Sequence, residues 1–237
     1  MPAEAAPSFL WVPELAVEPG AVELSLEESH YLARVCRARP GDQVFATDGR
    51  GRLAELRILS LGRRARAEVE RIERSDRRRR AWVWCGAPEG RRADWLVEKL
   101  AELGIEAWQP LECERASWRN SQGVIERWRR LAVAALRQSR RRFLMEIRPP
   151  VTLEEAAGTI PEGSLRWLAD AAGGRGGAPP AGAACAIGVV GPAAGFSAGE
   201  RDRLAALGFQ AMCLADGRLR SETAALAWAA WWALGEA

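Results

Sequence analysis

Two hydrophobic spacings divide this chain. Up to about residue 74, apolar positions come in short, partly alternating runs. Phe9–Val12, Ala21–Leu24, Gln43–Thr47, Leu53–Ser60 and Arg66–Ile72 read as strands, broken by Pro40-Gly41-Asp42, Asp48-Gly49-Arg50-Gly51 and Gly62. One helix interrupts them. Ser25 and Glu28 form an S-x-x-E capping box, and Tyr31, Leu32 and Val35 give an apolar face through about Cys36. A mostly β unit with one early helix predicts a small barrel.

From Ala81 the pattern changes. Ala81–Ala87 reads as a strand and Ala93–Leu103 as a helix, with Leu96, Leu100 and Leu103 on one stripe. Ala107–Cys113 is a strand edged by Pro110. Val124–Arg141 is an amphipathic helix with Ile125, Trp128, Ala132, Ala135 and Ser139 at helical steps, and Leu165–Ala169 is a further strand. Strands alternating with helices predict a parallel sheet.

The last fifty residues carry the chemistry. Ala186–Val190 suits a buried parallel strand and ends in Gly191-Pro192-Ala193-Ala194-Gly195. Ser197 and Glu200 form a second capping box for a helix from about Ala198 to Gly208. Phe209–Leu214 is the next strand, followed by the loop Ala215–Arg220 and a last helix that Ser221 can cap. Two consecutive strands thus end in glycine-bearing loops that feed helices, and in open α/β sheets ligands bind at such carboxyl ends. Neither a Walker lysine pattern nor G-x-G-x-x-G is present, so spacing alone leaves two ordinary strand–helix turns as an equal reading.

Composition narrows the classes. The 237 residues are 48% hydrophobic with net charge +3, and Lys99 is the only lysine, so the positive charge is arginine. Arginine binds phosphates bidentately and stacks on bases. The run Ser75–Arg80 divides an N-terminal domain, 1–74, from a second domain, 81–237, with 75–80 as linker. Five scattered cysteines without C-x-x-C spacing fit reduced thiols in a cytoplasmic protein, and one histidine leaves little material for a metal site. The longest apolar tract, Ala224–Leu234, is too short to span a bilayer, and the first residues do not read as a signal peptide, so no membrane partner is expected. The low-complexity segment Ala171–Ala184 reads as mobile, and the adjacent Trp231 and Trp232 invite either an interface or core packing.

The order of these sequence words resembles the RsmE family of SPOUT RNA methyltransferases. The family's GPEGGFS-like loop appears as Gly191–Ser197. Its C-terminal loop appears as Leu214 through Leu219-Arg220-Ser221-Glu222-Thr223-Ala224. Earlier family words match His30–Arg37, Pro40-Gly41-Asp42, Asp48-Gly49, Pro88-Glu89-Gly90, Lys99, Glu102-Leu103-Gly104, Pro110, Glu114-Arg115, Ser117, Arg127-Trp128 and Gln138-Ser139 with Arg141. The chain departs from the family at Glu89 (family lysine), Arg137 (glutamate), Arg140 (glycine), Ala193-Ala194 (Glu-Gly), and Ala215 and Gly217 (Gly and Arg).

The resemblance implies an α/β architecture: a PUA-like β-barrel that grips RNA, then a SPOUT domain with a parallel sheet and a deep C-terminal trefoil knot. It implies S-adenosyl-L-methionine as cofactor, no metal, a homodimer, and methylation of uridine N3 in 16S ribosomal RNA, free or in the small subunit. Cofactor binding falls to Leu168, Ala169, Val190, Gly191, Pro192, Gly195, Leu214, Ala215, Arg218, Leu219, Thr223 and Ala224. Arg220 is placed to stabilise charge on the uracil carbonyls, and Glu222 is the nearest base. His30, Arg34, Arg37, Arg39, Arg50, Arg52, Arg115 and Arg141 are the RNA-binding residues. Two alternatives stay open: an RNA-binding protein whose SPOUT domain is degenerate, and a SPOUT methyltransferase with another RNA target. If the family glycine at Ala215 needs a positive φ, that residue is strained.

Overall fold

Alternation in the first part of the chain produces a mixed five-stranded sheet. Its strands are β1 (Phe9–Trp11), β2 (Gly20–Glu23), β3 (Gln43–Thr47), β4 (Arg52–Ser60) and β5 (Arg66–Arg74), in the order β1-β3-β4-β5-β2. The computed structural model describes residues 8–77, 79–116 and 122–235. The chain start through Pro7, Arg78 and Ser117 therefore lie outside the described residues. Buried Leu10, Leu24, Leu32, Leu56 and Ile58 fill the core of this first unit. Helix α1 (Leu26–Tyr31) starts at Ser25, whose hydroxyl accepts from the Glu28 amide as expected. It then widens into a π-type turn over Leu32–Cys36, ended by Arg37 in the left-handed region at φ 53°. The wider turn shifts the helical phase, and Val35, read as core-facing, is 64% exposed.

Contacts divide the chain into residues 1–77 with 136–144, and residues 78–135 with 145–237. The segment 136–144 thus joins the first unit, whereas the sequence pattern places it within a second domain of 81–237. Backbone hydrogen bonds account for the difference. Leu144 donates to Gly49 O at 2.9 Å, Gly51 donates to Arg142 O at 3.1 Å, and the Thr47 hydroxyl donates to the same oxygen at 3.0 Å. The Asp48-Gly49 turn is thus paired to this returning segment.

The second unit holds β6 (Arg80–Gly86), α2 (Arg91–Glu102), β7 (Ala107–Glu112), α3 (Gln122–Ser139, whose last turn belongs to the first unit), β8 (Glu146–Ile147), β9 (Val151–Thr152) and α4 (Leu153–Ala157). It continues with β10 (Leu165–Arg175), β11 (Cys185–Val190), α5 (Ala198–Ala206), β12 (Gln210–Cys213) and α6 (Ser221–Leu234). Every strand pairing is parallel, in the order β12-β10-β11-β6-β7-β8, with β9 also on β7. The expected parallel sheet is present. Pro110 sits inside β7, opposite Cys85, rather than at its edge. On the other side β8 pairs at Ala107–Trp108 and β9 at Leu111–Glu112, so the break in the outer pairing falls at the residue that lacks a donor. The sequence reading missed β8, β9 and α4, which are too short for a periodic signal; α4 does carry a Thr152/Glu155 capping box.

One expectation changes here. The segment after Ala169 is not simply a mobile loop. β10 resumes pairing after a register shift, with Gly174 opposite Met212 and Arg175 opposite Cys213. A Cβ on Gly173 would lie 2.4 Å from the Ala211 carbonyl carbon, so glycine is what admits the close approach. Of the two readings of the adjacent tryptophans, core packing is the one seen: Trp232 is buried and Trp231 half-buried. Trp228 and Trp232 are 1% and 2% exposed, Trp231 meets Trp167 edge-on at 5.6 Å, and its indole N–H donates to Gly177 O at 2.6 Å. Among the described residues no helix is long and apolar enough to cross a membrane.

Candidate active site

Strands β12, β10, β11 and β6 are sheet neighbours. The loops after β12, β11 and β6, the turn after β7 and the register shift inside β10 line one cleft of about 900 Å³. That volume suits a cofactor-sized molecule.

The loop after β11 is shaped by its neighbours. Gly195 takes φ 77° and donates to Pro192 O at 2.7 Å, closing a tight turn. Gly86, at the end of β6, lets the loop lie against it: a Cβ there would sit 2.7 Å from the Pro192 nitrogen. Ser197 and Glu200 form the expected reciprocal cap. The other Glu200 oxygen accepts from the Glu114 amide at 3.0 Å, tying in the turn that carries Arg115.

The loop after β12 is pinned to the first loop twice. Arg218 donates to Ala193 O at 3.1 Å, and the Ser221 hydroxyl donates to Gly191 O at 2.7 Å. Ser221 is therefore not the cap of α6. That position is Arg220, whose side chain makes no capping bond. Among the described residues the positive-φ non-glycines are Arg37 and Arg140, so Ala215 is not strained. Arg140, at φ 55°, stands where the family has glycine.

The third side is Leu168, Ala169, Asp170 and Ala171. Asp170 accepts from the Ala172 amide at 2.9 Å and faces Arg201 at 3.5 Å.

The cleft brings together Leu168, Ala169, Val190, Gly191, Pro192, Gly195, Leu214, Ala215, Arg218, Leu219 and Ala224, with Arg220 and Glu222. Thr223 is the exception: it is exposed and off the lining. One residue along a helix turns the side chain by about 100° from Glu222, out of the cleft. Glu222 is buried, and its carboxylate lies 3.7 Å from Arg92 Nε. The sequence reading missed Arg92, Arg201 and Met212. The Pro88-Glu89-Gly90 turn just before α2 was the available signal for Arg92.

Cys85 ends up behind the cleft, and burial pushes its thiol far up; Cys113 is pushed up to about 12, first by burial and then by Glu200. All five cysteines are free thiols. No group of three or more His, Cys, Asp or Glu able to hold a metal occurs among the described residues.

The residues read as RNA-binding separate. His30, Arg34, Arg37 and Arg39 are exposed on α1 and the turns after it, and Arg50 is exposed on the Asp48 turn. Arg52 is half-buried and pairs with Asp48 at 3.6 Å. Arg141 is half-buried in the segment 136–144 of the first unit. Arg115 lines the cleft of the second unit.

A family model described as RNA methyltransferase domain matches residues 75–233, and one described as RNA methyltransferase PUA domain matches residues 25–70. The chain is 30% identical over 161 residues to ribosomal RNA small subunit methyltransferase E of Synechocystis, covering 64% of this chain and 53% of that one. That match spans about half the relative's length. The Mycobacterium bovis protein of the same name is 30% identical over 221 residues, 84% of this chain and 80% of that one. Among solved structures, the chain is similar to ribosomal RNA small subunit methyltransferase E from Neisseria gonorrhoeae bound to S-adenosyl methionine. The TM-score is 0.87 at 27% identity, covering 95% of this chain and 96% of that one.

Proposed function

The chain belongs to the RsmE family of SPOUT RNA methyltransferases, and from that premise we propose that it methylates N3 of a uridine in 16S ribosomal RNA. One observation carries the reading: all but one of the residues assigned to the cofactor, and both assigned to catalysis, line a single cleft at the carboxyl ends of parallel strands. The residues fit S-adenosylmethionine. The register shift inside β10 and the loops after β11 and β12 offer backbone groups and small side chains, and Gly86 and Gly191 keep the wall free of Cβ atoms where Pro192 and Phe196 pack. Leu168, Ala169, Val190, Gly191, Pro192, Gly195, Leu214, Ala215, Arg218, Leu219 and Ala224 would hold it. When bound, it supplies an electrophilic methyl on a sulfonium.

Uracil N3 is a poor nucleophile until its proton leaves. Glu222, buried in the first turn of α6, is the group that accepts this proton. Charge then spreads to the neighbouring carbonyl oxygens, where exposed Arg220 offers a fork of donors. Arg115, on the same wall, is available to a flanking phosphate. His30, Arg34, Arg37, Arg39 and Arg50 give the PUA-like unit a basic surface for the surrounding RNA. A regular stack would bury N3, so a folded RNA or the assembled small subunit suits the site better than a plain duplex.

A trefoil knot belongs to the same reading, supported by the convergence of the last three strands, β10, β11 and β12, on one cleft. A homodimer and a cytoplasmic setting complete it. The dimer rests on the family; free thiols, two of them buried, suit a reducing compartment.

The test is calorimetric titration with S-adenosylmethionine, followed by methylation of unmodified small subunits and nucleoside analysis. Saturable binding and N3-methyluridine are expected. A folded protein that binds RNA but not the cofactor would replace this reading with a non-catalytic RNA-binding one.

A further inference from the structure

Arg92 stands in the first turn of α2, where Gly90 caps the helix without a side-chain bond. A cation there opposes the helix dipole. Its one ion pair among the described residues is with Glu222, and its own side chain is 58% exposed, so the pair contributes little to stability. Neither the helix nor the fold accounts for Arg92. Its place does: it lines the cleft, with Nε 3.7 Å from Glu222 Oε1, while the Glu222 side chain is only 9% exposed. The Nε edge of the guanidinium lies within ion-pair reach of the buried carboxylate, on a side chain that is otherwise exposed at the cleft.

We infer that Arg92 is a positioning residue for the methyl transfer: reaching from α2 to α6, it fixes the Glu222 carboxylate so that the base faces the entering uracil. The inference rests on the methyltransferase reading above. The other groups near Glu222 do not share this role. Cys85, on β6, is a fully buried thiol held protonated by burial. Arg220, two residues before Glu222, caps α6, and Arg115 lines the same cleft from the turn after β7, yet neither is ion-paired to Glu222. In the step itself the N3 proton moves to Glu222, the N3–methyl bond forms, and the sulfur–methyl bond breaks to leave the neutral thioether.

The test is a double-mutant cycle on unmethylated small subunits. Rates are measured for the wild type, Arg92→Ala, Glu222→Gln and the pair, with Kd for S-adenosylmethionine by calorimetry. If Arg92 acts through the base, Arg92→Ala loses about 100-fold in kcat. Its cofactor Kd stays within about twofold, and the double variant is no slower than Glu222→Gln alone. Arg92→Lys restores part of the rate. Losses that multiply in the double variant overturn the inference, as does a parallel loss of cofactor binding in Arg92→Ala. Should Arg92→Ala not fold, Arg92→Gln carries the same cycle. A wild type that binds the cofactor but transfers nothing overturns the methyltransferase reading and this inference with it. An active wild type with additive losses overturns this inference alone.

Discussion

Arg137 places its guanidinium on the buried carboxylate of Glu28. The two side chains are 9% and 2% exposed, Glu27 adds a second contact at 3.1 Å, and the guanidinium sits 5.0 Å over the Tyr31 ring. Arg137 is a departure from the family pattern, where glutamate is expected. Within the first unit the reversal has a local reason: a buried carboxylate on α1 needs a cation.

The pair makes stability depend on pH. Burial raises the Glu28 carboxyl above its ordinary 4.5, and Arg137 pulls it partly back. A carboxyl raised in the folded state contributes fully below its unfolded value and loses that contribution as pH climbs through the raised one. Arg137→Met removes the counter-charge. Unfolding free energy at neutral pH is expected to drop by about 3–5 kcal/mol. The loss shrinks towards pH 4.5, because the carboxyl then takes up a proton. Urea melts at neutral and mildly acidic pH check this, and an equal loss at both would refute it.

Gly86→Ala tests how the cofactor cleft is held open. The new Cβ would meet the Pro192 nitrogen at 2.7 Å and its Cα at 2.9 Å, and backbone cannot swing aside as a flexible side chain can. The loop after β11 must move. Affinity for S-adenosylmethionine is expected to fall by about tenfold or more, equivalent to about 1.4 kcal/mol, with the RNA affinity of the PUA-like unit unchanged. Calorimetry and a filter-binding assay separate the two.

Much of this site was legible because its signals are local. The Ser197/Glu200 box, the glycines of the loop after β11 and the apolar run into it need only neighbouring residues to be read. Long-range relationships were not. Ser221 looks like a cap by residue type, yet its hydroxyl reaches Gly191 thirty residues earlier. Arg92 comes from a helix far upstream of Glu222, so no spacing connects them. Val35 satisfies a 3.6-residue period that the π-type turn abandons. Glycines 173 and 174 look like linker, although close backbone packing beside β12 is what requires one of them.

Ser221→Ala separates loop pinning from helix capping. It removes the donor to Gly191 O, a hydrogen bond with a net value of about 0.5–1.5 kcal/mol. Cofactor affinity is expected to weaken by about fivefold, the equivalent of about 1 kcal/mol. Thr223→Ala, at an exposed position off the cleft, should leave affinity where it was. Equal effects from the two substitutions would mean that the Gly191 contact does not organise the loop.

Cys113 gives the protein an alkaline signature. Its thiol is pushed up to about 12, chiefly by burial, from an ordinary 9.0. An acid raised in the folded state contributes stability fully below its unfolded value, so its share is lost as pH rises from 9 towards 12. In that window the unfolded chain has ionised the thiol and the folded one has not. The slope from this group is at most about 1.4 kcal/mol per pH unit, less whatever solvent reaches it. Other groups also titrate there, Tyr31 among them, so the comparison must be with a variant. Cys113→Ala should flatten the fall of unfolding free energy above pH 9 and leave its shape below that unchanged. The native thiol should also react slowly with a disulfide reagent at mildly alkaline pH and quickly after unfolding. A variant as steep as the wild type, or a fast-reacting native thiol, would show that Cys113 is not shielded as the fold around Glu200 and the β7 turn requires.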